Sequence, residues 1–199
     1  NAAGSATMME AMRILKVLGV QPRRTIRIGL WTGEEQGLLG SRAYVRKHYG
    51  FADSIGFHPT DEQAKFAAYF NVDNGSGKIR GIYAQENLAI APIFEDWMKP
   101  WNDVGATIVT QRNTGSTDHV SFDRVGIPGF QFVQDQLDYF SHVHHTHLDV
   151  QDHAVAGAPA RLGALLDRIT AALPRARVLV ATLPPLGKPA WQTQVDAFN

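Results

Sequence analysis

"RTIRIGLWTGEEQGLLGSRAYV", residues 24–45, is the stretch from which the class of fold is predicted. Apolar and polar residues alternate from Thr25 to Trp31, which predicts a half-buried strand. Residues 35–48 carry apolar side chains at helical spacing and predict a helix. A strand that passes into a helix through a glycine-flanked turn is typical of α/β folds, in which ligands bind beyond the carboxyl ends of strands.

The rest of the chain continues the alternation of helices and strands. Helices are predicted over residues 4–18, 88–101 and about 154–183. Strands are predicted over residues 66–72 and 106–111, with a polar loop over residues 113–122 and a further short strand within residues 126–135. Together they predict a three-layer α/β/α sandwich. Because neither an internal repeat nor a domain boundary is visible, residues 1–199 are expected to form a single domain.

Composition narrows the class of protein. The 199 residues are 44% hydrophobic and 19% charged, which is typical of a globular domain. Nineteen basic and nineteen acidic residues give zero net charge, so we expect no broad nucleic-acid surface. The absence of cysteine excludes disulfides and thiolate metal sites. No apolar run approaches the roughly 20 residues that span a membrane, and the oligomeric state is left open.

Glu34 and Glu35 are adjacent, so each raises the cost of ionising the other. Two interpretations are open. Both carboxylates could cap the start of the predicted helix, where the helix dipole favours negative charge. Alternatively, a cation lies beside them and one of the two works as a base.

Further polar residues follow the other predicted strands. Asp73 follows the strand at 66–72, in an Asp-Asn-Gly sequence that is first of all a turn signal. Asp118 and His119 follow the strand at 106–111 after a short loop. These residues are therefore candidates either for a structural turn or for a ligand site.

A histidine cluster is the most unusual feature of the chain. Imidazole is a common metal ligand that needs a partner to fix its tautomer, and Asp149 or Asp152 could supply that partner or cap the next helix. The alternative is a solvated loop. If the segment is extended, alternate side chains face apart and not all of the imidazoles can bind one ion. The four histidines are His142, His144, His145 and His147.

These candidates together form a set of oxygen and nitrogen ligands without sulfur. Such a set suits Zn²⁺, Mn²⁺ or Co²⁺ in a hydrolytic site. The sequence contains no G-x-S-x-G nucleophile elbow, no phosphate-binding P-loop and no G-x-G-x-x-G fingerprint. The sequence therefore favours metal-assisted hydrolysis over nucleophilic or nucleotide-dependent chemistry.

Six segments carry a family resemblance. The chain resembles the co-catalytic zinc peptidases of the M28 type, which include aminopeptidases and the plasma glutamate carboxypeptidase group. The resemblance implies a zinc-exopeptidase-like fold with a mixed, mostly parallel central sheet, a peptide or dipeptide substrate, and a secreted or periplasmic location. The segments are "NAAGSA" (1–6), residues 24–45 as quoted above, "NVDNGSG" (71–77), "STDHVSF" (116–122), "GIPG" (126–129) and "HHTHLD" (144–149).

The resemblance also implies roles for individual residues. Glu34 matches the general base that takes the proton of the attacking water. Glu35 and His145 match ligands of one zinc ion, and Asp73 matches a ligand of a second. Asp118 lies in a motif near the site, and it and Asp149 are candidates for residues that orient the ligands.

Two ligands expected from the resemblance are missing from the sequence. The family has a bridging Asp immediately before the position of Asn1 and a His ligand upstream of that. We therefore expect the chain to be the C-terminal portion of a longer catalytic domain that holds two zinc ions. Residues 1–199 alone are expected to bind metal weakly.

Two other functions compete with a metal-dependent aminopeptidase or dipeptidase. One is a glutaminyl-cyclase-like acyltransferase that works with one zinc ion on the same scaffold. The other is a non-catalytic binding module, which would be favoured if the missing ligands were truly absent. Because Glu34, Glu35, Asp73 and His145 are all present, the sequence argues against the binding module for the full-length protein, whereas for residues 1–199 alone that alternative stays open.

Overall fold

The computed structural model describes residues 2–149. Residues 29–140 form one compact unit, whereas residues 2–28 and 141–149 belong to a second. The second unit contains α1 (Ala2–Val17), which ends before a left-handed Gly19 as the sequence predicts. The predicted helix at 154–183 lies outside the described residues, and the assignment of residues 1–199 to a single domain stays a prediction.

The unit formed by residues 29–140 alternates short strands with short helices. Single 3₁₀ segments cover Gln63–Lys65 and Lys99–Val104, and a π-helical turn covers Tyr139–Val143. The elements are α2 (Leu39–His48), β1 (Gly50–Ala52), β2 (Phe57–Pro59), β3 (Tyr69–Asn71), β4 (Ile79–Tyr83), α3 (Ala91–Met98), β5 (Ile108–Thr110), α4 (His119–Asp123) and β6 (Gly129–Gln134).

Four of the strands form the central sheet in the order β3-β6-β4-β5. The pairs β3–β6 and β4–β5 are parallel, and β4–β6 is antiparallel. Phe70 pairs with Phe130 across β3 and β6, and Ile82 pairs with Phe132 across β4 and β6. The predicted mixed, mostly parallel sheet is therefore confirmed. Strands β1 and β2 form a separate antiparallel hairpin.

The two faces of the sheet are covered by different helices. Phe70 and Phe130 point to one face, where they contact Phe94 of α3. Tyr69, the neighbour of Phe70, points to the opposite face and stacks on Phe122 of α4 at 4.1 Å between ring centroids. We call these the α3 face and the α4 face. Helix, sheet and helix therefore form the three predicted layers.

The predicted strand at residues 25–31 is wrong. Residues 21–31 adopt no regular secondary structure, and Ile26, Ile28 and Leu30 are 46%, 38% and 55% exposed. Alternating apolar and polar residues give a strand one apolar and one polar face, but a stable strand also needs a hydrogen-bonded neighbour. Within residues 2–149 no strand pairs with this segment.

The structure also contains elements that the sequence patterns missed. Strand β4 has a glycine, Gly81, at its centre, because a Cβ there would lie 1.8 Å from the carbonyl oxygen of Ile108. Helix α4 begins in the predicted polar loop at 113–122, ends one residue beyond it, and has only five residues. The β1–β2 hairpin has no apolar alternation to reveal it, since β2 is exposed throughout.

Candidate active site

Asp73 lies just beyond the carboxyl end of β3. Tyr69 and Asn71 share the α4 face of that strand, and the Tyr69 hydroxyl donates to Asn71 Oδ1 at 2.8 Å. The hydroxyl of Thr117 donates to Asp73 Oδ2 at 2.6 Å, and Asn71 Nδ2 donates to Thr117 Oγ1 at 2.9 Å. The carboxylate is thus fastened to the segment that leads into α4.

Asp118 lies beside this group at the start of α4. It is only 6% exposed, and its Oδ1 has no hydrogen-bond partner among the described residues. Burial raises the pKa of Asp118, the negative charge of Asp73 raises it further, and a hydrogen bond from Ser41 opposes the shift. The structure therefore brings two predicted site residues, Asp73 and Asp118, within electrostatic reach of each other.

Glu34 and Glu35 lie in a tight turn and not at a helix start. The backbone N–H groups of Gly37 and Leu38 donate to the carbonyl oxygen of Glu34, at 3.0 and 2.8 Å. Both residues are left-handed, with φ of 104° and 62°, so α2 begins only at Leu39. The interpretation of the pair as a helix cap is therefore wrong.

Hydrogen bonds attach both ends of the turn that carries the two glutamates to residues on the α4 face. Trp31 Nε1 donates to the hydroxyl of Tyr69 at 3.0 Å on one side. On the other side, Ser41 Oγ lies 2.8 Å from Ser121 Oγ, and both serines are buried. We call residues 31–41 the glutamate loop. Its ends therefore lie against the same strand and helix that bring Asp73 and Asp118 together, with Glu34 half-buried and Glu35 exposed.

The histidine cluster belongs to the other unit and is not extended. His142 lies in the π-helical turn at Tyr139–Val143, the other three histidines follow it, and Thr146 Oγ1 donates to the carbonyl oxygen of His142 at 2.8 Å. The rings of His144 and His145 stack at 3.7 Å, and His145 is left-handed, with φ of 60°. The Asp149 backbone N–H donates to the Thr146 carbonyl at 3.2 Å. Asp152 lies outside the described residues.

The comparison with protein families identifies the chain. The model of Peptidase family M28 matches residues 1–170. The chain belongs to this family. Among curated members, bovine carboxypeptidase Q is 30% identical over 173 residues, covering 85% of this chain and 34% of the relative. Leupeptin-inactivating enzyme 1 from Streptomyces exfoliatus is 30% identical over 131 residues, covering 64% and 27%. The chain spans about a third of the length of these relatives.

Solved structures agree with the M28 assignment. A peptidase M28 precursor from Shewanella amazonensis superimposes with a TM-score of 0.65 at 27% identity, covering 94% of this chain and 39% of that one. A zinc aminopeptidase from Bacillus subtilis superimposes with a TM-score of 0.60 at 24% identity, covering 91% and 43%. The second likeness supports the fold alone. None of the helices in residues 2–149 has the length and apolarity that crossing a membrane requires.

The residues of this M28 chain fit a divalent cation in type. Asp73 and Asp118 supply carboxylate oxygens, which zinc accepts as ligands, and the unpaired buried Oδ1 of Asp118 is a polar atom that a cation would satisfy. However, no three His, Asp or Glu side chains among residues 2–149 converge on a possible metal site. The described part of the chain therefore shows two neighbouring carboxylates and no full set of metal ligands.

The sequence patterns missed the residues that hold this site together. Trp31, Tyr69 and Thr117 carry no charge and match no metal-ligand motif. Tyr69 and Asn71 could have been found from the spacing in "YFNVD", which places both on the strand face that leads to Asp73. Ser41 and Thr117 act through contacts between segments distant in sequence, which a local pattern does not report.

Proposed function

We propose that the whole protein is a metal-dependent exopeptidase, an aminopeptidase or dipeptidase, in which Glu34 is the general base. The observation that carries the proposal is the attachment of the glutamate loop. The hydrogen bonds between Trp31 and Tyr69 and between Ser41 and Ser121 hold its two ends against the elements next to Asp73 and Asp118. This brings the M28 motifs at 31–41, 71–77 and 116–122 together on one face of the sheet.

In this proposal Glu35 and His145 hold one zinc ion and Asp73 holds the second. The resemblance to the co-catalytic zinc peptidases supports the choice of metal, and the M28 assignment supports peptide or dipeptide substrates. The glutamate loop and His145 belong to the two separate units. The bridging Asp and the further His before Asn1 stay predictions.

Residues of this chain would accept the proton of the attacking water and hold the accepting carboxylate in place. The Glu34 carboxylate takes a proton from the attacking water and returns it to the leaving amine. The turn around Glu34 is rigid, since its carbonyl accepts two backbone hydrogen bonds, and this limits the positions of the carboxylate. Bound zinc would polarise the scissile carbonyl and stabilise its negative charge.

The test is Glu34→Gln in the full-length protein, assayed on amino-acid anilides and on dipeptides. We expect kcat to fall about 10²- to 10⁴-fold, the range that general-base catalysis contributes, while zinc content stays unchanged. The matched control is Glu35→Gln, which should lose zinc as well as activity. A near-normal kcat in Glu34→Gln would remove Glu34 from the base role. Cyclisation of N-terminal glutamine peptides without dipeptide hydrolysis would replace the peptidase by the acyltransferase.

His145→Ala tests the nitrogen ligand. We expect this variant to lose part of its zinc by elemental analysis, because one ligand of one ion is removed. The control is His147→Ala, which changes a nearby exposed histidine of the same cluster. Unchanged zinc in His145→Ala would move the ligand to His142, His144 or His147.

We also propose that the protein is secreted or periplasmic. The solved Shewanella amazonensis relative is a precursor, which supports export. Fractionation of the source cells, followed by immunodetection of the full-length protein, tests this. Recovery with the cytoplasmic fraction alone would contradict it.

A further inference from the structure

A continuous chain of four hydrogen bonds ends on Asp73. The donor–acceptor distances along it are 3.0, 2.8, 2.9 and 2.6 Å. It begins in the glutamate loop, crosses the α4 face of β3, and reaches the segment before α4. We call this chain the relay, and its members in order are Trp31, Tyr69, Asn71, Thr117 and Asp73.

The directions of the bonds in the relay follow from its two ends, because the Asp73 carboxylate can only accept a hydrogen bond and the Trp31 indole N–H can only donate one. The indole N–H of Trp31 can only donate, so the hydroxyl of Tyr69 accepts from it and has its own proton free for Asn71 Oδ1. With its oxygen facing Tyr69, the amide of Asn71 presents Nδ2 to Thr117. All four bonds therefore point toward Asp73, and the hydroxyl proton of Thr117 is directed at its carboxylate.

The surroundings keep this direction fixed. Asn71 and Thr117 are each 6% exposed, so little water is available to compete for their polar groups. Burial raises the pKa of Tyr69, so its hydroxyl keeps its proton throughout the neutral range. Hydrogen bonds that point the same way polarise one another, which strengthens the last bond to the carboxylate.

We propose that the relay positions Asp73 as a metal ligand and couples its orientation to the loop that carries Glu34 and Glu35. The bond from Thr117 engages Oδ2 and so sets the rotation of the carboxylate. The bond from Trp31 ties the same chain to the first residue of the glutamate loop. This inference rests on the proposed metal-dependent function, and the four members before Asp73 are positioning residues that act through it.

The first experiment measures zinc affinity in the full-length protein by competition with a chromogenic chelator. Thr117→Val removes the hydroxyl at nearly constant volume, and we expect zinc binding to weaken about 10- to 100-fold, as for other residues that orient metal ligands. Thr117→Ser restores the hydroxyl and should return affinity close to wild type. The Co²⁺-substituted protein should show a shifted visible absorption band in Thr117→Val and a wild-type band in Thr117→Ser.

The second experiment breaks the relay further from the metal. Tyr69→Phe removes the only hydroxyl that links Trp31 to Asn71, and we expect weaker zinc binding than in wild type but a smaller loss than in Thr117→Val. Phe70→Leu is the matched control, because it alters the neighbouring residue on the opposite face and should leave zinc affinity unchanged. Equal effects of Tyr69→Phe and Phe70→Leu on zinc affinity would overturn the inference.

The outcomes separate the inference from the proposed function. If wild type binds zinc and hydrolyses dipeptides while Thr117→Val is unaltered in affinity and in the Co²⁺ band, the relay is overturned and the function stands. If wild type neither binds zinc nor hydrolyses peptides, the function fails and the metal role of the relay fails with it. A double-mutant cycle of Trp31→Phe and Thr117→Val in chemical denaturation then tests the relay alone. Non-additive midpoints support the coupling, and additive midpoints contradict it.

Discussion

Tyr69 and Phe70 are neighbours on β3, yet they belong to two different regions of the molecule. Phe70 contributes to the α3 face, where Phe94 packs edge-on against Phe130 at 4.8 Å between centroids. Tyr69 contributes to the α4 face, where stacking on Phe122 is combined with hydrogen bonds to Trp31 and Asn71. One strand thus has an apolar side and a mixed side that carries the candidate site.

The two faces of the strand separate residues that mainly stabilise the fold from residues that carry the candidate site. Burial of aromatic rings on the α3 face is largely non-directional and tolerates small changes of shape. Hydrogen bonds on the α4 face are directional, and they fix the side chains around Asp73 and Asp118. Substitutions on the α3 face should therefore change stability alone, whereas those on the α4 face should also change metal binding.

The largest expected effect is on the α3 face. Phe94 is 1% exposed at the centre of its aromatic cluster, so Phe94→Ala should lower the free energy of unfolding by about 3–5 kcal/mol. Chemical denaturation of the full-length protein measures this. The milder Phe94→Leu should cost less and remain folded enough for a zinc titration. A zinc affinity in folded Phe94→Leu that differs from wild type would break the proposed separation of the two faces.

An intermediate loss of stability is expected where the backbone of α4 approaches β6 on the α4 face. A Cβ at Gly129 of β6 would lie 2.4 Å from the carbonyl oxygen of His119, which is backbone and can move only with α4. Gly129→Ala should therefore cost about 1–3 kcal/mol and weaken zinc binding, because Asp118 moves with the helix.

Gly115→Ala is the matched control for this substitution. A Cβ at Gly115 would meet no atom within 4 Å, so the change should alter stability by less than about 0.5 kcal/mol. Denaturation curves for both variants, measured side by side, check the difference. Equal losses of stability in the two variants would show that the close approach of α4 to β6 does not restrict the residue at position 129.

The smallest expected effect is a pH dependence of the metal-free protein. The pKa of Asp118 is raised in the folded state by burial, so ionisation costs the folded state more than the unfolded chain. Stability relative to Asp118→Asn should therefore fall as pH rises from about 4, the ordinary pKa of aspartate, through the raised pKa. Denaturation midpoints across this pH range measure it.

Asp53 provides a control of opposite sign. Hydrogen bonds from the backbone of Ile55, the side chain of His58 and the backbone of Gly56 lower the pKa of this exposed aspartate. Relative to Asp53→Asn, wild type should gain stability as pH rises through the lowered pKa toward 4. If both aspartates shift stability in the same direction, the burial of Asp118 does not govern its titration.

Several elements could be predicted because their patterns are local. The predicted strand at 66–72 contains β3, and the apolar spacing at 88–101 contains α3. The predicted strand at 25–31 does not form, although its residues alternate as in a strand. Alternation is a local pattern and does not show whether a neighbouring strand is available for hydrogen bonding. Helix α4 was missed since five residues are too few for a periodic pattern to emerge.

The class of fold, the M28 motifs and the candidates Glu34, Glu35, Asp73 and His145 could be read from the sequence, because residue types and their spacing are local properties. The three-dimensional contacts were needed to show that Glu34 and Glu35 lie in a turn and not at a helix start. They alone revealed the unpaired oxygen of Asp118 and the relay from Trp31 to Asp73. Burial and hydrogen-bond partners depend on contacts between segments far apart in sequence, such as Trp31 with Tyr69, 38 residues apart, and Ser41 with Ser121, 80 residues apart.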